Sequence, residues 1–569
     1  MSQIPLNGVP STHEEGRFKH AAVAADSPES SEVGTSIMKD EGGSAVDAAI
    51  AAVLCSGVVN AHSCGIGGGA IITYYKRSTG KVYTIIGREQ APAALQPDVF
   101  IDDPISKRLG GLSICTPGEI LCLYEAWKLG GRLPWKQLFQ PAIDLCKKGV
   151  TVRTALANAI DEIVKNDKLC LKEKVPDFIH FLTNPETGEI YKKGDMMYRP
   201  ALAKTLETIA NDGPDCFYKG NLTDDIIADI REKNGIISKE DLANYTAPIK
   251  PPISLKLNDD LTIYSPPLPT SGVLYQYMLD LLKDFKFDGL SVSTVEKSIT
   301  TWHRVTEAFK HSAAIKQQLG DNDICTEVIK MSIDEILKKT RNEDYVKDTR
   351  ARIIDTKTFD AAYYASLNTV KQPEDHGTSH LSVLGPDGDA VSVTHTVSLY
   401  FGSKVVGTRT GIVFNDVLRN FSLPNVEGRY DCPPLNSNLA EPLRRPLTAM
   451  SPSIVVDKNG DVKLVIGASG ATRIPTSMAL TLMQVTMETL WFNWGIKEAI
   501  DYPRIHHQLY PPKICCQPGL PKELINGLQE IGHAVTNINS ISVVQGILRT
   551  GDEITAYSDY RKEGKASGF

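Results

Sequence analysis

An α+β architecture, with helices packed outside stacked antiparallel sheets, is predicted by three features of the sequence. Helical patterns and short strands are mixed over residues 20–370, hairpins dominate from 378 onward, and one long apolar stretch, 472–495, lies between the hairpins. "SAVDAAIAAVLCSGV" (44–58) and "PALAKTLETIAND" (200–212) carry helical periodicity, and "AIITYY" (70–75) is a short strand. "GTSHLSVLGPDGDAVSVTHT" (377–396) alternates Leu381 and Val383 with His380 and Ser382 and turns at Asp387-Gly388, the pattern of a half-buried antiparallel pair. "SIVVDKNGDVKLVIG" (453–467) turns at Asn459-Gly460, and "VVQGILRTGDEITAYSD" (543–559) at Gly551-Asp552. "TRIPTSMALTLMQVTMETLWFNWG" (472–495) is long and apolar enough for a mostly buried helix. Neither an internal repeat nor a low-complexity tract is visible.

The chain has 569 residues, of which 42% are hydrophobic and 23% charged, so it can bury a large core. Its 61 basic against 68 acidic residues give a net charge of −7, with no long basic run, which argues against a nucleic-acid or anionic-membrane partner. The longest apolar run, within 48–59, is too short to span a bilayer, and the N-terminus has no hydrophobic core of a signal peptide. The chain is expected to be cytosolic, or else a mature or truncated form. Eleven scattered cysteines form no CxxC pair and leave the redox compartment open. Sequons at Asn221, Asn244 and Asn420 lean weakly towards secretion.

Several motifs are set aside on physical grounds. In "CGIGGGA" (64–70) the glycines follow a helix and precede a strand, the reverse of the dinucleotide-binding order, so a close-packed turn or anion-contacting loop is expected. No GxSxG elbow is present. His376 and His380, four apart on an extended chain, lie roughly 13 Å from each other, too far for one metal. His376, His380 and His395 are therefore read as structural or hydrogen-bonding residues, and no metal is expected.

Gly377-Thr378 is different. A plain strand start is the ordinary reading of such a pair. The chemical reading is self-cleavage, in which the Thr378 hydroxyl attacks the Gly377 carbonyl and water resolves the resulting ester. The freed α-amine of Thr378 can then act as base for its own Oγ. Glycine leaves the carbonyl open and the backbone able to bend. The new nucleophile needs backbone N–H donors nearby, and "GASGATR" (467–473), where a strand gives way to a helix, is a candidate donor site.

Together with "KHAAVAADS" (19–27), "GGSAVDAAIAAVLCSGVVNAHSCGIGGGA", "GREQAP", "LYFGSKV", "RRPLTAMSPSIVV", "GASGAT" and "SDYRKEGKASGF" (558–569), this hairpin closely resembles the γ-glutamyltransferase (glutathione hydrolase) family of N-terminal-nucleophile hydrolases, nearly end to end. The resemblance implies a four-layer αββα sandwich. It implies autocleavage into a large subunit, 1–377, and a small subunit, 378–569, paired as a heterodimer around one core. It also implies acyl transfer or hydrolysis of a small γ-glutamyl substrate, with water or an amino acid as acceptor and no cofactor. Thr378 matches the nucleophile and Thr396 the threonine that supports it. Gly470 and Ala471 match the paired glycines of the oxyanion hole. Arg88 matches the arginine for the substrate α-carboxylate, and is expected to bind ligand and not to serve as a structural ion pair.

The same alignment shows departures. Where the family holds the α-ammonium with Asn, Glu and Asp, this chain has Ser398, Val417 and Asn420. Asp416 is the neighbouring acid that substitutes if the loop shifts by one residue. Thr448 and Ala449 replace the usual Ser-Ser pair on the carboxylate side. Losing two charge-assisted hydrogen bonds, each worth roughly 1.5–3 kcal/mol, weakens a γ-glutamyl ligand. The cleavage half of the site is thus intact and the glutamate-reading half eroded. The second reading is accordingly a self-cleaved, weakly active member acting as a secreted binding protein or toxin-like effector. Cys55 sits at a family half-cystine position, but 27–32 offers it no partner. A secreted, extracellular protein is implied, glycosylated at Asn221 or Asn244, with a cytoplasmic location as the alternative.

Overall fold

The computed structural model describes residues 11–103, 105–166, 171–365, 377–422, 436–485, 492–539 and 542–569. His376 lies outside them. Two seven-stranded sheets form the centre of the molecule. Before the 377–378 bond come β1 (Gly16–Phe18), β2 (Ala22–Ala25), β3 (Gly69–Lys76), β4 (Lys81–Gly87), β5 (Ile249–Lys250), β6 (Ile253–Lys256) and β7 (Leu261–Ser265). After it come β8 (Gly377–Leu384), β9 (Ala390–Ser398), β10 (Ser453–Asp457), β11 (Val462–Ser469), β12 (Val543–Thr550), β13 (Glu553–Ser558) and β14 (Ala566–Gly568). One sheet runs β14-β2-β8-β9-β3-β4-β5 and the other β1-β13-β12-β11-β10-β7-β6. Each sheet is woven from strands on both sides of the 377–378 bond.

Seven helices matter for the layering: α1 (Pro28–Lys39), α2 (Ala45–Val59), α3 (Glu119–Gly130), α4 (Pro200–Asp212), α5 (Gly272–Lys283), α6 (Val295–Lys316) and α7 (Ile474–Gln484). A capping box starts α2: Ser44 Oγ accepts from Asp47 N at 3.1 Å while Asp47 Oδ2 accepts from Ser44 N at 2.9 Å. All of α2 is buried, which its small Ala and Gly side chains allow. Pro200 opens α4, where its missing N–H costs nothing, and Gly213 at φ +78° ends it.

Strand side chains alternate between two cores. Leu381, Val383, Val391 and Val393 join residues of α1–α4 in one outer core. Val455, Leu464 and Ile466 join α5–α7 in the other. Ala22, Leu384, Ile454, Val465 and Ile547 fill the space between the sheets. The order helix–sheet–sheet–helix is the αββα sandwich.

The three hairpins stand where the sequence puts them, with β8–β9, β10–β11 and β12–β13 all antiparallel. Two expectations need correction. The β8–β9 pair is buried on both faces, not half-buried. Its polar face turns towards the second sheet: His380 Nδ1 lies 2.9 Å from Thr394 Oγ1, and Ser392 Oγ donates to Ile466 O at 3.0 Å. The helix expected over 472–495 is shorter, because α7 ends at Gln484 and Val485 leaves in extended conformation to bridge Trp494.

Candidate active site

A line of residues crosses the first sheet at one end. Thr378 on β8 pairs with Thr396 on β9, Thr396 pairs with Gly69 on β3, and the neighbouring Ala70 pairs with Gly87 at the end of β4. Arg88 follows directly. "CGIGGGA" is the close-packed turn behind this line: a Cβ on Gly68 would lie 1.9 Å from Thr396 O, and one on Gly67 2.2 Å from Val413 O.

At Gly377-Thr378 the ladder carries a bulge. Gly377 is buried and Thr378 partly exposed. A Cβ on Gly377 would lie 2.4 Å from Ser398 O and 2.5 Å from Leu399 O, so no larger residue fits without displacing backbone. Thr396 Oγ1 donates to Gly377 O through a very short hydrogen bond, and lies 3.1 Å from Thr378 Oγ1. Because the Thr396 proton is committed to that carbonyl, Thr378 must be the donor in the second bond. Ser398 N donates to the same Thr396 oxygen at 2.8 Å.

Beneath Thr378 is a buried ion pair that sequence reasoning missed. Lys562 Nζ donates to Thr378 O at 2.8 Å, to Asp26 Oδ2 at 2.7 Å and to Ser379 Oγ at 3.2 Å. Gln545 Nε2 donates to the other Asp26 oxygen. Asp26 and Lys562 stand in the first and last motifs of the family resemblance, 536 residues apart.

The second sheet brings the oxyanion candidates to the same end. A Cβ on Gly467 would lie 2.1 Å from the His380 ring, and Ile466 O accepts from Ser392. Ser382, opposite Ser392, lies two pairs further from Thr378 than His380 does. Moving along β11 from Ile466 to Gly467 therefore moves towards Thr378, and Gly470 and Ala471 continue that way. Their φ values are +121° and +56°. The αL conformation of Ala471 costs of the order of 1–2 kcal/mol, which a glycine would avoid. Among the described residues neither amide donates to any acceptor.

Arg88 is 1% exposed. Its Nη1 donates to Glu89 Oε2 at 2.9 Å, Nε to Pro446 O at 3.1 Å and Nη2 to Leu447 O at 3.5 Å. The expectation that Arg88 makes no structural ion pair is therefore corrected, since both members of this pair are buried. The contacts end one residue before Thr448 and Ala449. Thr448 Oγ1 accepts from Met450 N at 3.2 Å, and Thr448 O accepts from Ser271 Oγ at 2.8 Å. Ala449 is partly exposed.

At the same end of β9, two residues past Thr396, Ser398 has φ +82°, and its Oγ, though buried, finds no partner among the described residues. Val417 is packed with Ala91, Phe100, Cys115 and Leu418 in an apolar cluster. Asn420 ends the same short turn, its carbonyl accepting from Asn438 Nδ2 at 2.8 Å. Asp416 is fully buried: Oδ1 accepts from Leu399 N at 3.0 Å, while Oδ2 has no partner among the described residues. Burial pushes its pKa up to about 6 against the pull of the Lys404 ammonium.

The histidines hydrogen-bond, as expected of His380 and His395. Burial holds His380 down to about 3. His395 Nδ1 lies 2.9 Å from Glu119 Oε2; although burial opposes its charge, Cys64 and Glu119 hold it protonated up to about 10. The His303–Glu307–His533 trio was invisible in the sequence. His303 Nδ1 lies 2.8 Å from His533 Nε2, and Glu307 accepts from Lys310 at 3.0 Å, Thr358 at 2.7 Å and Tyr364 at 2.5 Å. Asn221 and Asn244 are exposed. The nine described cysteines, Cys55 included, are free thiols. No described helix is long and apolar enough to cross a membrane.

A family profile described as Gamma-glutamyltranspeptidase matches residues 30–569. The chain belongs to the gamma-glutamyltranspeptidase family. It is thus an enzyme of the γ-glutamyltransferase (glutathione hydrolase) class. Scoloptoxin SSD14 of Scolopendra dehaani is 40% identical over 97% of this chain and 93% of that protein. Glutathione hydrolase 2 of Arabidopsis thaliana is 35% identical over 97% and 94%. A cephalosporin acylase from Bacillus halodurans superposes with TM-score 0.80 at 22% identity, covering 100% of this chain and 99% of that one, and shares the fold.

Proposed function

We propose that this family member cleaves itself between Gly377 and Thr378 and then transfers or hydrolyses γ-glutamyl groups, as in glutathione, from Thr378 Oγ1. The arrangement Thr378 O–H to Thr396 Oγ1 to Gly377 O carries the reading. The Thr396 hydroxyl polarises the carbonyl to be attacked and takes a hydrogen bond from the attacking hydroxyl. Thr378 Oγ1 adds to the Gly377 carbon, the C–N bond breaks as nitrogen gains the proton, and water hydrolyses the ester. The products are a large subunit ending at Gly377 and a small one beginning with a free Thr378 amine. Lys562, through Thr378 O, then keeps the new terminus in place. In turnover that amine takes the Oγ1 proton, and the amides of Gly470 and Ala471 receive the oxyanion.

For the acyl donor, the two Arg88 N–H groups not engaged among the described residues face a carboxylate beside Thr448. Asp416 Oδ2 and Ser398 Oγ supply the ammonium end in place of the carboxylates that Val417 and Asn420 lack. Gly377 lies against Ser398 and Leu399, so its departure uncovers this end only after cleavage. Val417 and Asn420 also favour a second reading, a secreted effector of low turnover, with the scoloptoxin likeness as support.

Purified protein should run as two bands, the smaller beginning at Thr378, and should release an anilide from its γ-glutamyl derivative. Thr378→Ala should remain one chain. A wild type that stays uncut while folded removes the proposed mechanism. A cut protein with no anilide turnover selects the second reading.

A further inference from the structure

The His303–Glu307–His533 trio takes no part in the chemistry above, and its members come from both sides of the 377–378 bond. His303 and Glu307 lie one turn apart on the same face of α6, as i and i+4 positions of a helix must. His533 follows the helix Lys522–Glu530, and two glycines bring it to that face. A Cβ on Gly527 would lie 2.1 Å from Ile299 Cδ1, so this helix packs tightly on α6 one turn before His303. Gly532, at φ +108°, then turns the chain, and His533 N donates to Leu528 O at 3.1 Å.

All three side chains are buried, and one ligand atom from each lies within 4.8 Å of the other two. His303 Nε2 lies 3.0 Å from Ile354 O, which can only accept, so Nε2 carries the proton and Nδ1 a lone pair. That lone pair meets His533 Nε2 at 2.8 Å. Two ring nitrogens so close need a proton or a metal ion between them. Burial lowers the pKa of both rings and keeps them neutral, the ligating form. Glu307 is oriented by hydrogen bonds from Thr358 at 2.7 Å and Tyr364 at 2.5 Å, as ligating carboxylates are. Lys310 Nζ, 3.0 Å from Glu307 Oε1, balances the carboxylate charge in the metal-free protein.

We propose that His303 Nδ1, His533 Nε2 and Glu307 bind a divalent transition-metal ion of the zinc class, which ties the chain before the 377–378 bond to the chain after it. Two neutral imidazoles and a carboxylate are a zinc-type donor set, too rich in nitrogen for calcium or magnesium. Zn–N bonds of ~2.0–2.1 Å in a tetrahedron hold two nitrogens roughly 3.3 Å apart, so rings now at 2.8 Å need to part by about half an ångström. The ion replaces the shared proton, which moves to His533 Nδ1, and a water takes the fourth place. Lys310 turns from Glu307 to Thr358 Oγ1, to which its ammonium already donates. Nothing in this site depends on Thr378, so it stands apart from the acyl-transfer reading.

Calorimetric titration of the chelator-treated protein with zinc tests this, with cobalt(II) as an optical probe of the same site. The wild type should take up a single zinc ion per chain, zinc should raise its melting temperature, and cobalt should show the intense visible bands of a tetrahedral site. Changing a mere hydrogen-bonding neighbour of a ligand costs about 10–100-fold in affinity, so His533→Ala should lose at least ~100-fold. Lys310→Met should bind roughly 10-fold tighter, because it removes a like charge a few ångströms from the ion. No uptake by the wild type, cobalt bands of octahedral type, or an unchanged zinc affinity in a folded His533→Ala variant overturns the assignment. The wild-type titration decides the matter even where a variant fails to fold. Thr378→Ala protein carries all three ligands on one chain and should titrate like the wild type, so a protein that never cuts itself still tests the metal site.

Discussion

Gly377 occupies a space with no room for a side chain, which makes it the sharpest probe of the site. In Gly377→Ala the new methyl meets the backbone at Ser398 and Leu399, so the scissile carbonyl must move away from Thr396. Self-cleavage should slow by at least ~100-fold, the scale on which one oxyanion-type donor acts, while the far ends of the sheets keep their packing. Conversion to two bands over time measures this, and Thr396→Val, which keeps the shape and loses the hydroxyl, should give a similar loss. Asp416 offers a pH test. Its folded pKa of about 6 exceeds the usual carboxylate value, so the folded state binds more protons between about pH 4 and 6. Stability therefore falls as pH rises through that window, by ~2–3 kcal/mol, and the loss is complete above it. Asp416→Asn should flatten the curve, so its melting temperature should gain on the wild type from pH 4 to pH 7.5. Gly377-Thr378 was singled out because glycine before a hydroxyl residue at a strand start has a chemical meaning, and the pair does stand at the bulged start of β8. Lys562 and Asp26 were not singled out, because their pairing exists only once both chain ends meet β8.

At the scale of elements, Arg88 joins the end of β4 in the first sheet to the 446–447 segment that precedes β10 of the second. Removing it strands Glu89, which is fully buried and whose pKa burial already raises. Arg88→Leu should cost ~3–5 kcal/mol, the usual penalty for orphaning a buried charge. Arg88→Leu with Glu89→Leu should recover much of it, a coupling seen by comparing denaturant midpoints. If instead Arg88→Leu unfolds like the wild type, the pair has no structural role and a ligand-only arginine is restored. Hairpins were readable here because Asp387-Gly388 and Asn459-Gly460 fix turn and register locally. The burial of both faces of β8–β9 was not, since His380, Ser382, Ser392 and Thr394 look like a solvent face until a second sheet meets their hydrogen bonds. The apolar run past Gln484 misled for a related reason: burial, not helix, is what such a run specifies.

For the whole molecule, the interleaving of strands decides what the segments on either side of the 377–378 bond can do apart. β8 and β9 lie between β2 and β3, and β11 and β10 lie next to β7. A fragment of 1–377 alone would expose the edges that β8 and β9 cover, and 378–569 alone would lack the partners of β9 and β10. Expressed as separate chains, the two should fail to give a soluble complex, whereas the subunits cut from one precursor should elute together in gel filtration.

The same weave bears on reversibility. The uncut chain has every strand on one tether, so reassembling either sheet is a unimolecular search. After a cut at 377–378, an unfolded molecule must find its other half by collision, with two exposed and aggregation-prone remnants competing. Thr378→Ala protein should therefore regain its calorimetric transition on a second heating scan, and the mature wild type should not, with a melting temperature that depends on scan rate. Maturation would leave a molecule that can keep its fold but not find it again.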